Sequence, residues 1–543
     1  QDTQGTVQAD IALDQMRLRD WSFKDTSGSV SVDINALELG SLEALLHLGG
    51  LDLDLQGTVT AQIKGEIRQG ELDTVMGTLK ARNVDVTGPA FSGDSVASTQ
   101  VDVTIDVKRE QQTIQLNSLS FACDWLKTDV QGSLPAGLGI SSISDLSETD
   151  MAIKGDFDLD VALLASQLPH HFSLKEKTRL TKGRATGHFD LAQAKIAGDF
   201  RLEELAGQVD QSQVSLSEPV QGRVELTTQD KGNFRVEALS LNSSFARVQA
   251  TGDSERIEYS EWLDLEKMQA ELGQFLDIGD YTLKGQLSGE GVAHLEDHAF
   301  TVSGTSVLKD LDLIVPDGNS VSETQVRLTY ATVYDAEQDV LRVAGLFAKA
   351  DWGEMGIRDM RIGFKEDQMQ GNVYAKALQL QNLLPYIRAF SSAPSGMSVK
   401  GLAQADCRIQ KTDGVIQLVT DNTIIERFEL NMPEQQPFKQ SSMSMALRAR
   451  VNPVAKAINI ESFQLISPEI KITKGQFQHQ VQADSTTVQA SLDCEYDLQA
   501  VGEFVAPLLP AGLEMAGNRT GHVSFFSSCP SAQTQSLWRS AQG

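Results

Sequence analysis

Residues 51–68 alternate strictly between apolar or small side chains and polar ones, and this pattern limits the fold more than any other feature. The odd positions hold Leu51, Leu53, Leu55, Gly57, Val59, Ala61, Ile63, Gly65 and Ile67. Every even position in the segment is polar or charged. A period of two predicts a β-strand with one face on an apolar surface and the other in water. We expect a bend or bulge at one of its glycines.

The same alternation returns in other segments of the chain. The further apolar positions that share a strand face in this way are Val101, Val103 and Ile105, then Ile153, Phe157 and Leu159, and then Leu283 and Leu287. Strands with a single apolar face are typical of antiparallel sheets. The sequence therefore predicts a mainly β protein.

Short segments with helical periodicity interrupt the strands. The clearest begin at Leu265, Leu380 and Leu498, and weaker ones begin at Leu42 and Val161. Several are predicted to end at a glycine or proline, namely Gly49, Pro169, Pro385 and Pro507. Each is followed by a strand marked by a glycine, and these glycines are Gly57, Gly183, Gly285, Gly401 and Gly517.

A second marker keeps the same spacing as the glycines. Similar strand segments are centred on Leu119, Leu239, Leu346 and Phe463. Two independent markers predict repeated units that each pack on their neighbours, as in an elongated solenoid-like body. The predicted units are 1–40 (end of a preceding β repeat), 41–160 (repeat 1), 161–264 (repeat 2), 265–377 (repeat 3), 378–497 (repeat 4), 498–526 (start of repeat 5) and 527–543 (a disordered or truncated tail).

Charge and motifs exclude several classes of function. The formal net charge of -28 opposes binding to nucleic acid or to an anionic membrane surface. No nucleotide-binding, hydrolase or EF-hand motif is present, and we expect neither an enzyme nor a cofactor. The adjacent His170 and His171 follow Pro169 and are interpreted as loop residues, not as metal ligands.

The four cysteines, Cys123, Cys407, Cys494 and Cys529, are far apart and form no CxxC pair, which argues against a zinc site. Two long-range disulfides and free buried thiols both remain open. No segment has the roughly 18 to 20 consecutive apolar residues that span a bilayer. The first residue is Gln1 without a signal peptide, so we expect a fragment or a mature segment whose anchor lies elsewhere.

One-sided strands are compatible with two architectures. Two sheets can pack face to face around a sealed core. Alternatively, a single curved sheet can leave a continuous apolar trough suited to acyl chains. Periodicity alone does not separate these architectures, although few aromatic residues and many small ones on the apolar face favour a trough.

Residues Leu53 to Val86, LDLQGTVTAQIKGEIRQGELDTVMGTLKARNVDV, resemble the repeats of the AsmA-like superfamily of diderm bacteria, which includes AsmA-, TamB- and YhdP-type proteins. Residues Phe234 to Gly252 have a similar form, and the resemblance extends over residues 1 to about 526. It implies an elongated repeating β-groove, a curved antiparallel sheet of repeated units with, in this chain, a short helix per repeat. It also implies an inner-membrane anchor outside this sequence and a groove that spans the periplasm.

The function implied by the resemblance is passive transport of phospholipids between the inner and outer membranes, without catalytic residues. An outer-membrane protein is a further expected partner. The residues expected to line the groove are Leu53, Leu55, Val59, Ile63, Ile67, Val101, Val103, Ile105, Ile153, Phe157, Leu159, Leu283 and Leu287.

Two other functions remain open at the level of sequence. Closed β units would make a structural stalk or adhesin that binds through its loops. An exposed sheet edge would suit an assembly factor for outer-membrane proteins. A sealed core would favour the stalk, and edge pairing to a β-barrel partner would favour the assembly factor.

Overall fold

The structure is a computed structural model that describes residues 5–14, 26–43, 47, 52–91, 93–136, 151–172, 174–175, 177–192, 194–209, 212–228, 233–276, 281–296, 298–316, 318–390, 396–432, 437–481, 485–499 and 517–530. Strands dominate it, and short helices separate groups of strands. The prediction of a mainly β, antiparallel fold with short helices is confirmed. The chain divides into two compact units, residues 1–279 and residues 280–543.

Unit 1 contains strands β1 to β15, two 3-10 turns and helices α1 and α2. The strands are β1 (Thr6–Leu13), β2 (Gly28–Glu38), β3 (Asp54–Arg68), β4 (Glu71–Thr87), β5 (Val96–Glu110), β6 (Thr113–Ala122), β7 (Leu126–Pro135), β8 (Ala152–Asp160), β9 (Thr178–Ala192), β10 (Lys195–Val209), β11 (Ser212–Ser215), β12 (Val220–Thr228), β13 (Phe234–Asn242), β14 (Ala246–Asp253) and β15 (Arg256–Asp264). The 3-10 turns are Leu39–Leu42 and Pro89–Phe91, and the helices are α1 (Val161–Gln167) and α2 (Leu265–Leu272).

The strands of unit 1 pair in chain order, each with the strand before it and the strand after it, and all pairs are antiparallel. One irregularity is β10, which pairs along different parts of its length with β11 and β12 as well as with β9. The ladder then continues to β15. Consecutive pairing of this kind needs only short connections between strands.

A bulge near the start of β3 preserves the apolar face of the next strand. Gly57 has φ 119° and lies beside Asn83, which has φ 50°, and the register shifts at this point. The extra residue in β4 moves its alternation by one, so that Ala81 before the bulge and Val84 after it can occupy the same face. This confirms the expected bulge at a glycine of the Leu51–Arg68 segment.

Unit 2 contains strands β16 to β28 and helix α3. The strands are β16 (Thr282–Glu296), β17 (Ala299–Ile314), β18 (Ser320–Asp335), β19 (Val340–Ala350), β20 (Gly353–Gly363), β21 (Gln368–Gln379), β22 (Ser398–Thr412), β23 (Val415–Asn431), β24 (Phe438–Asn452), β25 (Ala457–Ile466), β26 (Ile470–Val481), β27 (Ser485–Asp497) and β28 (Asn518–Pro530). Helix α3 is Leu380–Phe390. These strands also pair antiparallel in chain order.

Two helices begin at an aspartate that ends the preceding strand. The Asp160 carboxylate accepts a hydrogen bond of 2.9 Å from the Leu163 backbone N–H, and Asp264 accepts one of 3.0 Å from Lys267. These N-caps satisfy backbone donors that have no partner within the helix. Helix α1 ends at Gln167, before Pro169, as predicted.

The predicted end of a helix at Pro385 is wrong, because α3 continues through this proline to Phe390. A proline at this position removes only one hydrogen bond within the helix, from its missing N–H to the carbonyl of Gln381. Leu384 and Ala389 are buried on either side of it, and this packing holds the helix together. The other predicted helix ends, Gly49 and Pro507, lie outside the described residues.

The C-terminal strand also runs further than predicted. Alternation is lost after residue 526, yet β28 extends to Pro530, and Ser527 is buried opposite Val488. Backbone pairing to β27 continues there without any need for alternating side chains. Residues 531–543 of the predicted tail lie outside the description, and the predicted division into repeats stays a prediction.

Candidate functional site

One face of the unit 1 sheet carries an uninterrupted row of apolar or glycine residues, each paired directly with the next across the ladder. We call it the Ile63 row, and it consists of Ala9, Val32, Ile63, Gly77, Ile105, Leu119, Val130, Gly155, Phe189, Gly198, Val224, Leu239, Ala250 and Tyr259. Directly paired residues in antiparallel strands lie on the same face of a sheet. The row therefore crosses every strand of unit 1 except β11 on one face.

The opposite face is polar along its whole width. The row one residue earlier on β3, which we call the Gln62 row, consists of Gln8, Asp33, Gln62, Thr78, Thr104, Ser120, Asp129, Asp156, His188, Asp199, Arg223, Ser240, Gln249 and Ser260. Its members include four aspartates and contribute to the acidic character of the protein. The sheet of unit 1 is thus apolar on one side and polar on the other.

The apolar face is only partly covered. Ile63 is 38% exposed, Leu239 43% and Phe200, on the same face, 40%. Among the described residues of the chain, the largest side chains that are less than 2% exposed are Val321, Thr26, Thr486 and Ser527. The interior between two packed sheets normally buries leucine and aromatic side chains completely. The apolar face therefore lacks the complete burial that a sealed sandwich would give it.

Unit 2 repeats this arrangement. Its Leu418 row consists of Gly371, Ile409, Leu418, Ala449, Ile460, Phe477, Ala490 and Phe525. Its Leu346 row consists of Gly291, Gly304, Tyr330, Leu346, Ile357, Val373 and Cys407. The adjacent row on the other face is polar from Gln417 through Arg450 and Gln478 to Gln489, and it ends at Phe526 on β28.

The predicted groove residues of unit 1 lie on β3, β5 and β8 or just before them. Val59 pairs with Ala81, which pairs with Val101. Ile63 and Ile105 both pair with Gly77. Val59 is 5% exposed. Four other predicted residues are half-buried, namely Leu53, which precedes β3, and Leu55, Ile67 and Val103. These side chains are therefore brought together on one face.

The predicted residues on β8 lie further along the same face. Ile153 pairs with Leu191, Phe157 with Gly187 and Leu159 with Ala185. In unit 2, Leu283 pairs with Leu313 and Leu287 with Leu308, and both predicted residues are half-buried. The structure thus places every predicted lining residue on or beside an apolar strand face.

Several residues of the apolar face were not among the predicted groove residues. They include Phe189, Phe200 and Val224, and also Leu119, which was identified only as a repeat marker. A usable signal exists in β10, where Ile196, Gly198 and Phe200 alternate with polar or small residues, but a bulge at Glu204 (φ 51°) ends this alternation.

Two of the repeat glycines, Gly183 and Gly401, lie against short helices. A side chain on Gly183 would lie 2.8 Å from Cδ1 of Leu205 in β10, which is too close, and 3.4 Å from Cβ of Val161 in α1, which is an ordinary van der Waals distance. A side chain on Gly401 would meet Cδ1 of Leu380 in α3 at 3.2 Å. In both cases the glycine lies against the first residue of the helix that precedes its strand. The contact with the helix is tight only at Gly401, whereas at Gly183 the side chain of Leu205 on the neighbouring strand leaves no room.

A carboxylate clamp fixes the loop that follows α1. Asp94 is almost fully buried, and its two oxygens accept hydrogen bonds from Nδ1 of His170 (2.5 Å) and Nδ1 of His171 (3.0 Å). Burial raises the pKa of Asp94, but the hydrogen bonds from both histidines outweigh it and lower this pKa to about 2. The amide of Gln167 also makes two hydrogen bonds with the backbone of Ala97. His170 and His171 are thus structural, consistent with their interpretation as loop residues.

A second buried polar group anchors α3 in unit 2. The Tyr386 hydroxyl accepts a hydrogen bond of 3.3 Å from the Trp352 indole and donates one of 2.8 Å to Glu323. Burial raises the pKa of Glu323 above its ordinary range. Burial, together with the bond to Glu323, also raises the pKa of Tyr386. These contacts tie α3 to β18.

The described part of the chain holds no group of three or more His, Cys, Asp or Glu side chains arranged for a metal ion. Cys123, Cys407 and Cys494 are free thiols, so none of these three forms a disulfide. None of the helices in the described ranges is long and apolar enough to cross a lipid bilayer.

No protein-family model matches this sequence, and no curated protein matches it significantly. The fold defines a class of protein: antiparallel sheets of many strands that have one apolar face, with short helices between groups of strands. The resemblance to the AsmA-like superfamily rests on the repeat sequence itself.

Proposed function

We propose that this chain is a non-enzymatic envelope protein that carries phospholipid acyl chains along its apolar sheet face. The transport would run between the inner and outer membranes of a diderm bacterium and support outer-membrane biogenesis. The observation that carries the proposal is the Ile63 row, which crosses unit 1 without a polar interruption.

The partial exposure of the apolar face favours a lipid ligand over a second layer of this chain packed against it. An apolar surface left at about two-fifths exposure, as at Leu239, is stabilised when an apolar ligand covers it. Acyl chains fit a surface of branched aliphatic side chains because the contact needs no directional hydrogen bonds. The head groups would stay in water beside the polar edges, so no cofactor or energy-consuming step is required in this chain.

The polar face supports the location in an aqueous compartment such as the periplasm. The Gln62 row and a net charge of -28 keep that face hydrated and oppose adsorption to an anionic bilayer. In this proposal, membrane attachment comes from segments other than the described residues. An outer-membrane protein is a further proposed partner.

The test is native mass spectrometry with lipid extraction on the chain produced in a bacterial envelope. Bound phospholipid is expected for the unchanged chain. Ile63→Asp should lose most of it, because an unpaired carboxylate on an acyl-lined surface costs several kcal/mol. Gln62→Asp is the matched control, since Gln62 is the next residue of β3 and lies on the polar face. A folded, lipid-free unchanged chain would overturn the proposal and favour a structural stalk or adhesin.

A further inference from the structure

The apolar face of unit 1 contains a patch where phenylalanine rings lie over glycines of the neighbouring strands. Phe157 of β8 pairs with Gly187 of β9, and Phe189 of β9 pairs with Gly155 of β8. Phe200 of β10 pairs with Gly187 on one side and Gly222 of β12 on the other. The three rings therefore cover four consecutive strands of the ladder.

The rings occupy the space that a side chain on these glycines would need. A methyl group on Gly155 would lie 2.6 Å from Cζ of Phe189. A methyl group on Gly187 would overlap Cε1 of Phe157, and one on Gly222 would overlap Cε1 of Phe200. Real side-chain atoms do not approach this closely, so each ring lies flat across the backbone of its glycine.

A flat ring occupies less height above the sheet than a ring that points away from it. We propose that Gly155, Gly187 and Gly222 set the depth of the trough across β8 to β12 and thereby admit the full width of a two-chain phospholipid. This inference rests on the proposed function and assigns a specificity-determining role to three glycines within it. A side chain at any of them would lift its ring into the space of the cargo.

A control glycine lies in the same patch. A methyl group on Gly198 of β10 would lie 3.3 Å from the His188 carbonyl oxygen, 3.6 Å from Cγ1 of Val224 and 3.9 Å from Cβ of Phe189, so it would be much less crowded than one on Gly222. Gly198 and Phe200 lie on the same strand and the same face. The variants Gly222→Ala and Gly198→Ala therefore differ mainly in whether a ring must move.

The experiment incubates the full chain and its variants with dioleoyl phosphatidylcholine vesicles and counts bound lipid by native mass spectrometry. We expect Gly222→Ala to bind this lipid roughly fivefold less tightly, the lower range for overpacking a filled site. Binding of a one-chain lysophosphatidylcholine should fall less. Gly198→Ala, at another position of the Ile63 row, should reduce binding of the two-chain lipid less than Gly222→Ala does, because no ring has to move, and an equal loss would contradict the role of the ring.

A double variant separates ring position from misfolding. Adding Phe200→Ala to Gly222→Ala removes the lifted ring and should restore binding of the two-chain lipid. Circular dichroism of each variant shows whether the sheet has formed. Unchanged binding in Gly222→Ala, or no rescue in a folded double variant, would overturn the depth assignment while leaving the proposed function standing. Absence of lipid from the unchanged chain would instead overturn the proposed function, and the depth assignment with it.

Discussion

The Tyr386 hydroxyl donates a hydrogen bond of 2.8 Å to the Glu323 carboxylate, which is only 7% exposed. The bond joins α3 to a strand that lies 63 residues earlier in the sequence. Burying a carboxylate costs free energy unless partners compensate for the lost water. The hydroxyl of Tyr386 therefore adds a polar contact to the apolar packing that holds this helix on the sheet.

Tyr386→Phe should destabilise the chain by about 1 to 3 kcal/mol, because it leaves a buried acceptor without its donor. The raised pKa of Glu323 means that its charged form disfavours folding at neutral pH. This penalty disappears as the pH falls through the folded-state pKa, so the variant should recover stability on acidification. Urea unfolding at several pH values measures this. Tyr334→Phe, which removes a solvent-exposed hydrogen bond to Asp339, is the control and should change little.

Asp94 gives a pH dependence of the opposite sign. Its folded-state pKa of about 2 lies below the value of about 3.9 for an unfolded aspartate. It therefore stabilises the fold fully above about pH 4, and this contribution disappears as the pH falls towards about 2. The stability difference between the unchanged chain and Asp94→Asn should shrink over that range. A difference that stays constant down to pH 2 would contradict the clamp.

Ala377 has φ 53°, a left-handed conformation that strains any residue with a side chain. Ala377→Gly should stabilise the chain by roughly 0.5 to 1 kcal/mol, as relief of this strain exceeds the entropy cost of glycine. Ala375→Gly in the same strand is the control and should destabilise by a similar amount. Thermal unfolding of both variants compares them directly, and a loss of stability in Ala377→Gly would show that the backbone at this register shift between Ala375 and Leu378 is not strained.

Val59 and Ile63 should respond differently to the same substitution. Val59 is 5% exposed and Ile63 38% exposed, although both lie on the apolar face of β3. Val59→Asp buries a charge and should lower the free energy of unfolding by several kcal/mol more than Ile63→Asp. Chemical unfolding of the two variants tests this. Equal losses of unfolding free energy would mean that the apolar face is as closed around Ile63 as it is around Val59.

The alternation of β3, β5, β8 and β16 was sufficient to predict the fold class and the apolar face. Side-chain direction in a strand follows directly from sequence parity, so residues such as Ile63 and Phe157 could be assigned to it. A bulge at a glycine of residues 51–68 was expected, but alternation did not indicate that the extra residue would lie at Asn83 on the paired strand, nor that a second bulge would lie at Glu204. A bulge shifts the alternation by one residue, so the apolar positions before and after it differ in parity. The strand therefore looks irregular in the sequence until the position of the bulge is known.

Contacts between distant residues were also beyond the reach of periodicity. His170 meets Asp94 across 76 residues, and nothing in the local sequence of either residue indicates the pairing. The stacking of Phe200 over Gly222 depends on the register of the paired strands. Alternation does not fix this register, because a shift of two residues keeps the same side chains on the apolar face. The helix end expected at Pro385 failed because tertiary packing outweighed the local preference of proline.

Photo-crosslinking at adjacent residues tests most directly whether the apolar face carries acyl chains. A benzophenone amino acid is placed at Leu119 or at Ser120 of β6, and at Leu418 or at Gln417 of β23, in the chain produced in a bacterial envelope. Each pair differs by one residue and by the face of the sheet. We predict phospholipid adducts at Leu119 and Leu418 and none above background at Ser120 and Gln417. Equal labelling within each pair, or labelling at neither position, would contradict the account.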